Sequence, residues 1–350
     1  MQPHVAALDI GTNSVQLLVA SGTKEGRLCP IAEYFAAPRL GEGIAASGLL
    51  APEAIQRTLD AISTLLAAGH AHQLMLEGVA AATSAVRDAG NRHEFVDAFH
   101  ERFGFGARIL DGPEEALCTF LGAASDAPAE VCTISLDVGG GSTEIGVGLN
   151  GDARLTESVD VGCVRLSEQF CLHEPDSARR EKEAEKTVDA LLAPVLARAA
   201  KAVSTDHTIQ VTATGGTATT LTAAVLKLDT YDAERVHGHT TSIPELAEFR
   251  RHITDMPLEE RSQLPGIPPS RAMILPAGLL ILERSLRLLG TPTFRVSTRG
   301  LRHGLLIRLL SGSLAPSWQW GGRDPAATRV CVDENAPEGG HGSSRVRLRS

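Results

Sequence analysis

The chain has 350 residues, which is long for one small core and fits two domains of ordinary size. Its hydrophobic content of 43% and charged content of 21% are those of a globular protein, and no apolar run approaches the roughly 20 residues that span a bilayer. A formal net charge of −9, an aromatic content of 4% and the lack of a dense Lys/Arg stripe argue against a nucleic-acid partner.

The first apolar run, residues 5–8, reads as a buried strand. No basic leader or cleavage site precedes it, so a cytoplasmic location is expected. It feeds the turn Asp9-Ile10-Gly11-Thr12-Asn13-Ser14 and returns over 15–20. Residues 52–68 form an amphipathic pattern, with Pro52 in the first turn and apolar positions at Ile55, Leu59, Ile62, Leu65 and Leu66. A buried strand over 76–81 leads to Thr83-Ser84-Ala85-Val86-Arg87. A helix over 91–103 follows, capped by Asn91, then a strand over 107–110 and a helix over 113–122 begun by Pro113. The polar, proline-bearing stretch 126–130 reads as a domain boundary.

The second half restates the opening. A strand over 131–136 meets Asp137-Val138-Gly139-Gly140-Gly141-Ser142-Thr143-Glu144 and returns over 145–149. A long helix is expected over 176–203, its Arg and Glu forming a solvated face held by i,i+4 pairs. A strand over 209–213 enters Gly215-Gly216-Thr217 and a helix reaching 224. Helices over 244–252 and 273–289, a strand over 294–297 and a last helix over 299–310 complete the patterned part. From 311 onward the composition turns to Gly, Ser, Pro and charge without periodicity, which predicts a disordered tail over 311–350. Six cysteines (Cys29, Cys118, Cys132, Cys163, Cys171 and Cys331) lack any C-x-x-C pair, and most of them read as small core residues in a reducing compartment. His237 and His239 have no metal-ligand spacing and read as surface or capping residues.

One Asp-x-Gly turn between strands is an ordinary hairpin signal. Two of them, each with an acid on the strand end and a hydroxyl just past the glycines, point to phosphate. Glycine lets the backbone approach a ligand closely, and successive N–H groups can converge on its oxygens. Neither a G-x-x-x-x-G-K-[ST] loop nor a G-x-G-x-x-G fingerprint is present. Two such turns on facing lobes would bound a phosphate cleft. Asp9, Gly11, Thr12, Asn13, Ser14, Gly139, Gly140, Gly141, Ser142 and Thr143 are the phosphate-binding candidates. Gly215, Gly216 and Thr217 form a third turn of the same chemistry, and Arg87 offers a bidentate contact. Hydrolysis of a phosphoanhydride also needs a cation and a base to orient water. Asp137 is suited to hold Mg²⁺ directly or through water, and Asp9 takes the matching place in the first half. Glu144 is either a third acid of this set or a surface acid on an edge strand. Glu114 and Glu115 fall in a first helical turn, where the dipole favours acids in any protein.

These turns, together with Arg39-Leu40-Gly41-Glu42-Gly43, the segment 82–87 with Asn91, Gly112-Pro113-Glu114-Glu115-Ala116, Val161-Gly162-Cys163-Val164-Arg165, Thr214-Gly215-Gly216-Thr217, Val236-His237-Gly238 and Gly300-Leu301-Arg302-His303-Gly304, occur in the order of a known family. The chain resembles the exopolyphosphatase/guanosine pentaphosphate phosphohydrolase family over residues 5–309. That resemblance implies an α/β fold of two ribonuclease H-like lobes, of the actin, sugar kinase and Hsp70 superfamily, with a cleft between them. Its lobes would be 1–125 and 126–298, with helix 299–310 packing back on the first.

It further implies a phosphoanhydride hydrolase using Mg²⁺ or Mn²⁺. Asp137, Glu144 and Asp9 would stand at the metal, and Glu115, just before the alanine of Glu-Glu-Ala, would be the base, with Glu114 as fallback. The expected reaction is release of terminal orthophosphate from inorganic polyphosphate, with guanosine pentaphosphate as the alternative substrate. A homodimer without nucleic-acid or membrane partners is expected. A sugar or acid kinase of the same superfamily calls for a catalytic Asp where this chain has Glu115. A non-catalytic nucleotide or alarmone sensor has no need of the full acid set. Leu117, Met273, Thr298 and His303 depart from the family's usual Arg, acid, Asp and Glu, and the extra C-terminal helical domains of the long members are not expected here. Short polyphosphates are therefore the expected preference.

Overall fold

Residues 3–23, 27–72, 76–172, 178–203 and 206–320 are described in the computed structural model of this chain. Two units divide it, Met1–Leu110 with Leu305–Ser350, and Asp111–Gly304.

In the first unit, β1 (His4–Ile10) and β2 (Val15–Gly22) form an antiparallel hairpin that β3 (Leu28–Ala36) extends. Val5, Ala6, Ala7 and Leu8 are all buried, because a strand covered on both faces keeps no polar alternation. After α1 (Ile44–Ser47), α2 (Pro52–His70) buries the apolar stripe Ile55, Leu59, Ile62, Leu65 and Leu66. β4 (Leu76–Ala82) lies parallel to β1, followed by α3 (Ser84–Asp88), α4 (Arg92–Phe103) and β5 (Arg108–Ile109), which pairs with β4. Asn91 stands at the N-cap position of α4, but its side chain bonds the amide (2.8 Å) and carbonyl (3.0 Å) of Leu50 instead of capping the helix.

The second unit opens with α5 (Gly112–Ala123) and the antiparallel meander β6 (Val131–Val138), β7 (Thr143–Leu149) and β8 (Asp152–Val159). Next come α6 (Cys163–Phe170), α7 (Ala178–Ala202) and β9 (Thr208–Thr214), which lies parallel to β6. α8 (Gly215–Val225), α9 (Ala233–Val236), β10 (Thr240–Ser242), α10 (Ile243–Thr254), α11 (Leu258–Arg261), α12 (Pro269–Ala272), α13 (Leu275–Leu289) and β11 (Thr293–Val296) complete it. The chain then forms α14 (Leu301–Leu310) and β12 (Trp318–Trp320).

The sheets run β12-β4-β1-β2-β3, with β5 also on β4, and β10-β11-β9-β6-β7-β8. The core of each sheet follows one plan: β3, β2, β1, β4 and β5 succeed one another in the first unit and β8, β7, β6, β9 and β11 in the second, the first three antiparallel and the next two joined in parallel, while β12 on β4 and β10 on β11 are added antiparallel. That is the ribonuclease H-like order, and the duplication seen at the two turns extends to whole sheets.

The two units part between Leu110 and Asp111, upstream of the expected 125/126, because α5 packs on β7 and β8. Phe120 fills the space over Gly146 and Gly148, where a Cβ would come 2.5 Å from it. The second division falls at Gly304/Leu305 inside α14. Gly304 lies against the Cys118 backbone of α5, where a Cβ would meet the carbonyl oxygen at 1.7 Å, and Leu310 lies against Gly22.

The tail expected to be disordered from 311 carries β12, antiparallel to β4. Trp318 is buried and stacks on Phe105 at 4.8 Å, Trp320 sets an edge on His70, and the Ser317 amide donates to the Gly78 carbonyl at 2.7 Å. Two tryptophans supply the apolar area that periodicity did not reveal. Residues 321–350, with Cys331, and the expected helix start at 176–177 lie outside the described residues.

The charged run of α7 is also less solvated than expected. Arg179–Glu183 is an exposed i,i+4 pair, but Glu181 pairs with Arg250, Asp189 with Arg284 and Arg198 with Glu157, all on other elements.

Candidate functional site: two braced turns and a row of acids

The hairpin geometry is the same in both units. The Gly139 amide donates to the Ser142 carbonyl at 2.9 Å, and the Gly11 amide to the Ser14 carbonyl at 2.9 Å. What brings each turn toward anion binding is how its carbonyls are spent. The first turn of α6 takes them in the second unit: Gly139 O accepts from Cys163 N, and Gly140 O from Val164 N and Arg165 N. Gly141 O accepts from Arg165 Nε at 3.1 Å. Within a planar trans peptide the C=O and the following N–H point opposite ways. The Gly140, Gly141 and Ser142 amides therefore turn away from α6, and among the described residues no backbone carbonyl accepts from them. Three such donors in succession make an anion-binding concavity. The close approach requires Gly162, where a Cβ would lie 2.4 Å from Gly140 O.

In the first unit Thr12 O accepts from Gly41 N (2.9 Å) and Asn13 O from Arg39 N (3.1 Å), so the Asn13 and Ser14 amides turn away from that loop. Arg39 adopts φ 60 there, a left-handed conformation that side chains seldom hold. The Asn13 amide nitrogen Nδ2 is buried and has no hydrogen-bond partner among the described residues. Some expected hydroxyl contacts are used internally: Thr12 Oγ1 meets Ser84 Oγ, Thr143 donates to Val161 O and Thr217 to Val138 O. Arg87 is drawn to its own frame, with Nη1 on Leu110 O at 3.2 Å and Nε 3.4 Å from Asp88. Asp9 heads its turn opposite Gln16.

The second unit gathers the acids. Strand register places Thr214, Asp137, Glu144 and Ser158 side by side across β9, β6, β7 and β8, so their side chains share one face. Directly opposed carboxylates repel each other, and a cation relieves that repulsion. Asp137 abuts the N-terminus of α8: Gly215 has φ 75, and a Cβ there would sit 2.0 Å from Asp137 Oδ1. Glu144 is 3% exposed. Over the same face lies α5, with Gly112 on Ser158 and Phe120 on Gly146, so its first turn stands at the acid end of the sheet. Asp111 caps that turn by accepting from the Glu114 amide at 2.8 Å. Glu115 is buried, whereas Glu114 is more open. Among the described residues no three His, Cys, Asp or Glu converge as a metal cage. Two carboxylates that leave room for water and phosphate are, however, the usual protein share of a Mg²⁺ site.

Arg271 was not among the expected site residues. Its guanidinium lies on Gly216, where a Cβ would be 2.0 Å from Cζ, and burial holds its pKa down although Cys163 and Asp137 are near. Burial likewise pushes the Cys163 thiol up to about 11, against the pull of Arg271. His237 is a half-buried residue at the C-cap of α9, as expected of a capping residue; its Nε2 bonds Asp126 at 2.7 Å, and its Nδ1 accepts from the Thr298 amide. Burial alone would raise the Asp126 carboxyl, but hydrogen bonds from His237 and Arg295 and the Arg295 charge hold it well below the usual carboxylate range.

Sheet order, braced turns and acid row together define an α/β protein that handles phosphoryl groups. The Ppx/GppA phosphatase family matches residues 18–312. The chain is 33% identical over 323 residues to exopolyphosphatase 2 of Mycobacterium tuberculosis, covering 87% of this chain and 98% of that one. It is 27% identical over 310 residues to the guanosine-5'-triphosphate,3'-diphosphate pyrophosphatase of Vibrio vulnificus, covering 88% of this chain and 60% of that one. An exopolyphosphatase from Cytophaga hutchinsonii is similar in structure at TM-score 0.78 and 25% identity, over 88% of this chain and 98% of that one. For an Aquifex aeolicus PPX-GPPA enzyme the values are 0.72 and 27%, over 88% and 99%. The chain belongs to the Ppx/GppA phosphatase family.

Proposed function

We propose that this chain is an exopolyphosphatase, releasing orthophosphate from the end of inorganic polyphosphate by in-line attack of water. The observation that carries this reading is the set of outward amides of Gly140, Gly141 and Ser142 beside the Asp137–Glu144 pair. Those amides hold the oxygens of the phosphoryl group, and their fixed dipoles oppose the charge that grows as its bond to the chain breaks. Glu115 orients the attacking water and takes its proton. The remaining polyphosphate leaves with the bridging oxygen. Gly215, Gly216 and Thr217 add the N-terminal dipole of α8, and Gly139 sets the turn. Asp9, Gly11, Thr12, Asn13 and Ser14 are a second phosphate-binding turn, with Arg87 a contact on the same unit.

Asp137 and Glu144 would hold Mg²⁺ or Mn²⁺, with Asp9 the corresponding metal-site acid of the first unit's turn, and the bound cation would neutralise phosphoryl charge. A homodimer in the cytoplasm completes the reading; no helix among the described residues is long and apolar enough to cross a membrane. Similarity to the Vibrio vulnificus pyrophosphatase favours guanosine pentaphosphate as a second substrate. Phosphate release from short and long polyphosphate, guanosine pentaphosphate and ATP, with and without Mg²⁺, tests this. Metal-dependent release from polyphosphate is expected, and turnover of ATP alone would contradict it.

A further inference from the structure

The acid row ends on Ser158, a residue that neither a phosphate turn nor a general base accounts for. Its hydroxyl donates to Glu144 Oε1 at 2.8 Å. Glu144 is buried, so bulk water is a poor substitute for that bond, and a buried acceptor deprived of its donor is costly. With Oε1 occupied, the oxygen facing the glycine turn is Oε2: a Cβ at Gly139 would come 3.8 Å from it. The far side of Ser158 is closed by the helix that carries Glu115. A Cβ at Gly112 would lie 2.8 Å from Ser158 Cβ, so the base of α5 rests on this one side chain. Serine suits the place. It supplies one donor in a small volume, whereas an acid here would add a third carboxylate to a row that already sets Asp137 opposite Glu144.

We infer that Ser158 is a positioning residue: it fixes which carboxylate oxygen Glu144 presents to the divalent cation and ties that orientation to the base of α5. The inference rests on the reading of Asp137 and Glu144 as cation ligands. Ligating carboxylates are themselves hydrogen-bonded, and losing such an outer partner costs about 10–100-fold in metal affinity or activity. Ser158 acts through Glu144, so its loss shows first in cation affinity and needs no substrate to be seen.

The test is Mn²⁺ binding to the full chain without substrate, followed by the electron paramagnetic resonance signal of free Mn²⁺, with a thermal melt on each variant. Ser158→Ala is expected to weaken Mn²⁺ binding about tenfold. Ser158→Thr, which keeps the hydroxyl, restores most of that loss, and Glu144→Gln weakens binding at least as far as Ser158→Ala. Gly112→Ala gives a second handle, since it leaves Ser158 in place but presses on it, and it too should weaken binding. Unchanged Mn²⁺ affinity in both Ser158→Ala and Gly112→Ala, alongside a clear loss in Glu144→Gln, overturns the positioning role and leaves the cation reading standing. An unaltered Glu144→Gln overturns both.

Discussion

His303 shows how burial decides a residue's state. It is 4% exposed, and its Nδ1 has no hydrogen-bond partner among the described residues. Burial, aided by Arg302 and Arg299, pushes its pKa from 6.5 down to about 3. The folded chain therefore keeps this imidazole neutral while the unfolded chain protonates it. Its contribution to stability is complete above pH 6.5 and is lost as the pH falls toward 3, by up to about 1.4 kcal/mol per pH unit. The unfolding midpoint of the wild type should fall relative to that of His303→Leu as the pH drops from 7 to 4; parallel curves would contradict the assignment. At this scale the sequence was readable where chemistry is local. Asp137 and Glu144 flank one hairpin, so the turn alone brings them together. Ser158 and Arg271 reach the same place through a third strand and a distant helix, and their neighbours along the chain carry no sign of it.

Among elements, visibility in the sequence followed burial. β1 carries the unbroken apolar run 5–8, and β6 and β9 alternate apolar residues with Thr133, Ser135 and Thr212, patterns that read as strand. β3 and β8 leave no clear mark in the sequence: β8 is half open to solvent, and β3 carries Pro30 and Glu33 among its apolar residues, so neither shows a clean period. α6 was missed for another reason. Its function lies in backbone donors that brace the glycine turn, and backbone groups leave no trace in side-chain pattern. β12 was missed because three residues are too few to show alternation. It is nonetheless part of the first unit's core. Trp318→Ala should cost about 3–5 kcal/mol, and a chain ending at Leu310 should unfold at a distinctly lower temperature than the full chain. Equal melting temperatures would show that the strand contributes nothing.

For the molecule as a whole, the net charge of −9 opposes a polyanionic substrate. Phosphates beyond those held by the turns meet a repulsion screened over roughly 8 Å at physiological salt. Along a ladder of polyphosphate lengths at fixed Mg²⁺, kcat/KM should therefore level off early and depend strongly on ionic strength. A continued rise over orders of magnitude with length would reveal a basic track. The two-sheet plan was readable from the repeated turns, but the division between units was not, because α5 follows the first sheet in sequence and packs on the second.

In the proposed reaction, Glu115 activates water for attack on a phosphoryl group held by the Gly140–Ser142 amides. Glu115→Gln keeps the size of the side chain and removes its basicity. Polyphosphate turnover and binding, measured together on this variant, separate a base from a binding group. As a base, Glu115 requires kcat to fall by about 10²–10⁴-fold on this change, while affinity for polyphosphate stays near that of the wild type. Undiminished turnover in Glu115→Gln, with activity lost instead in Glu114→Gln, would contradict that role and move the base to the neighbouring glutamate.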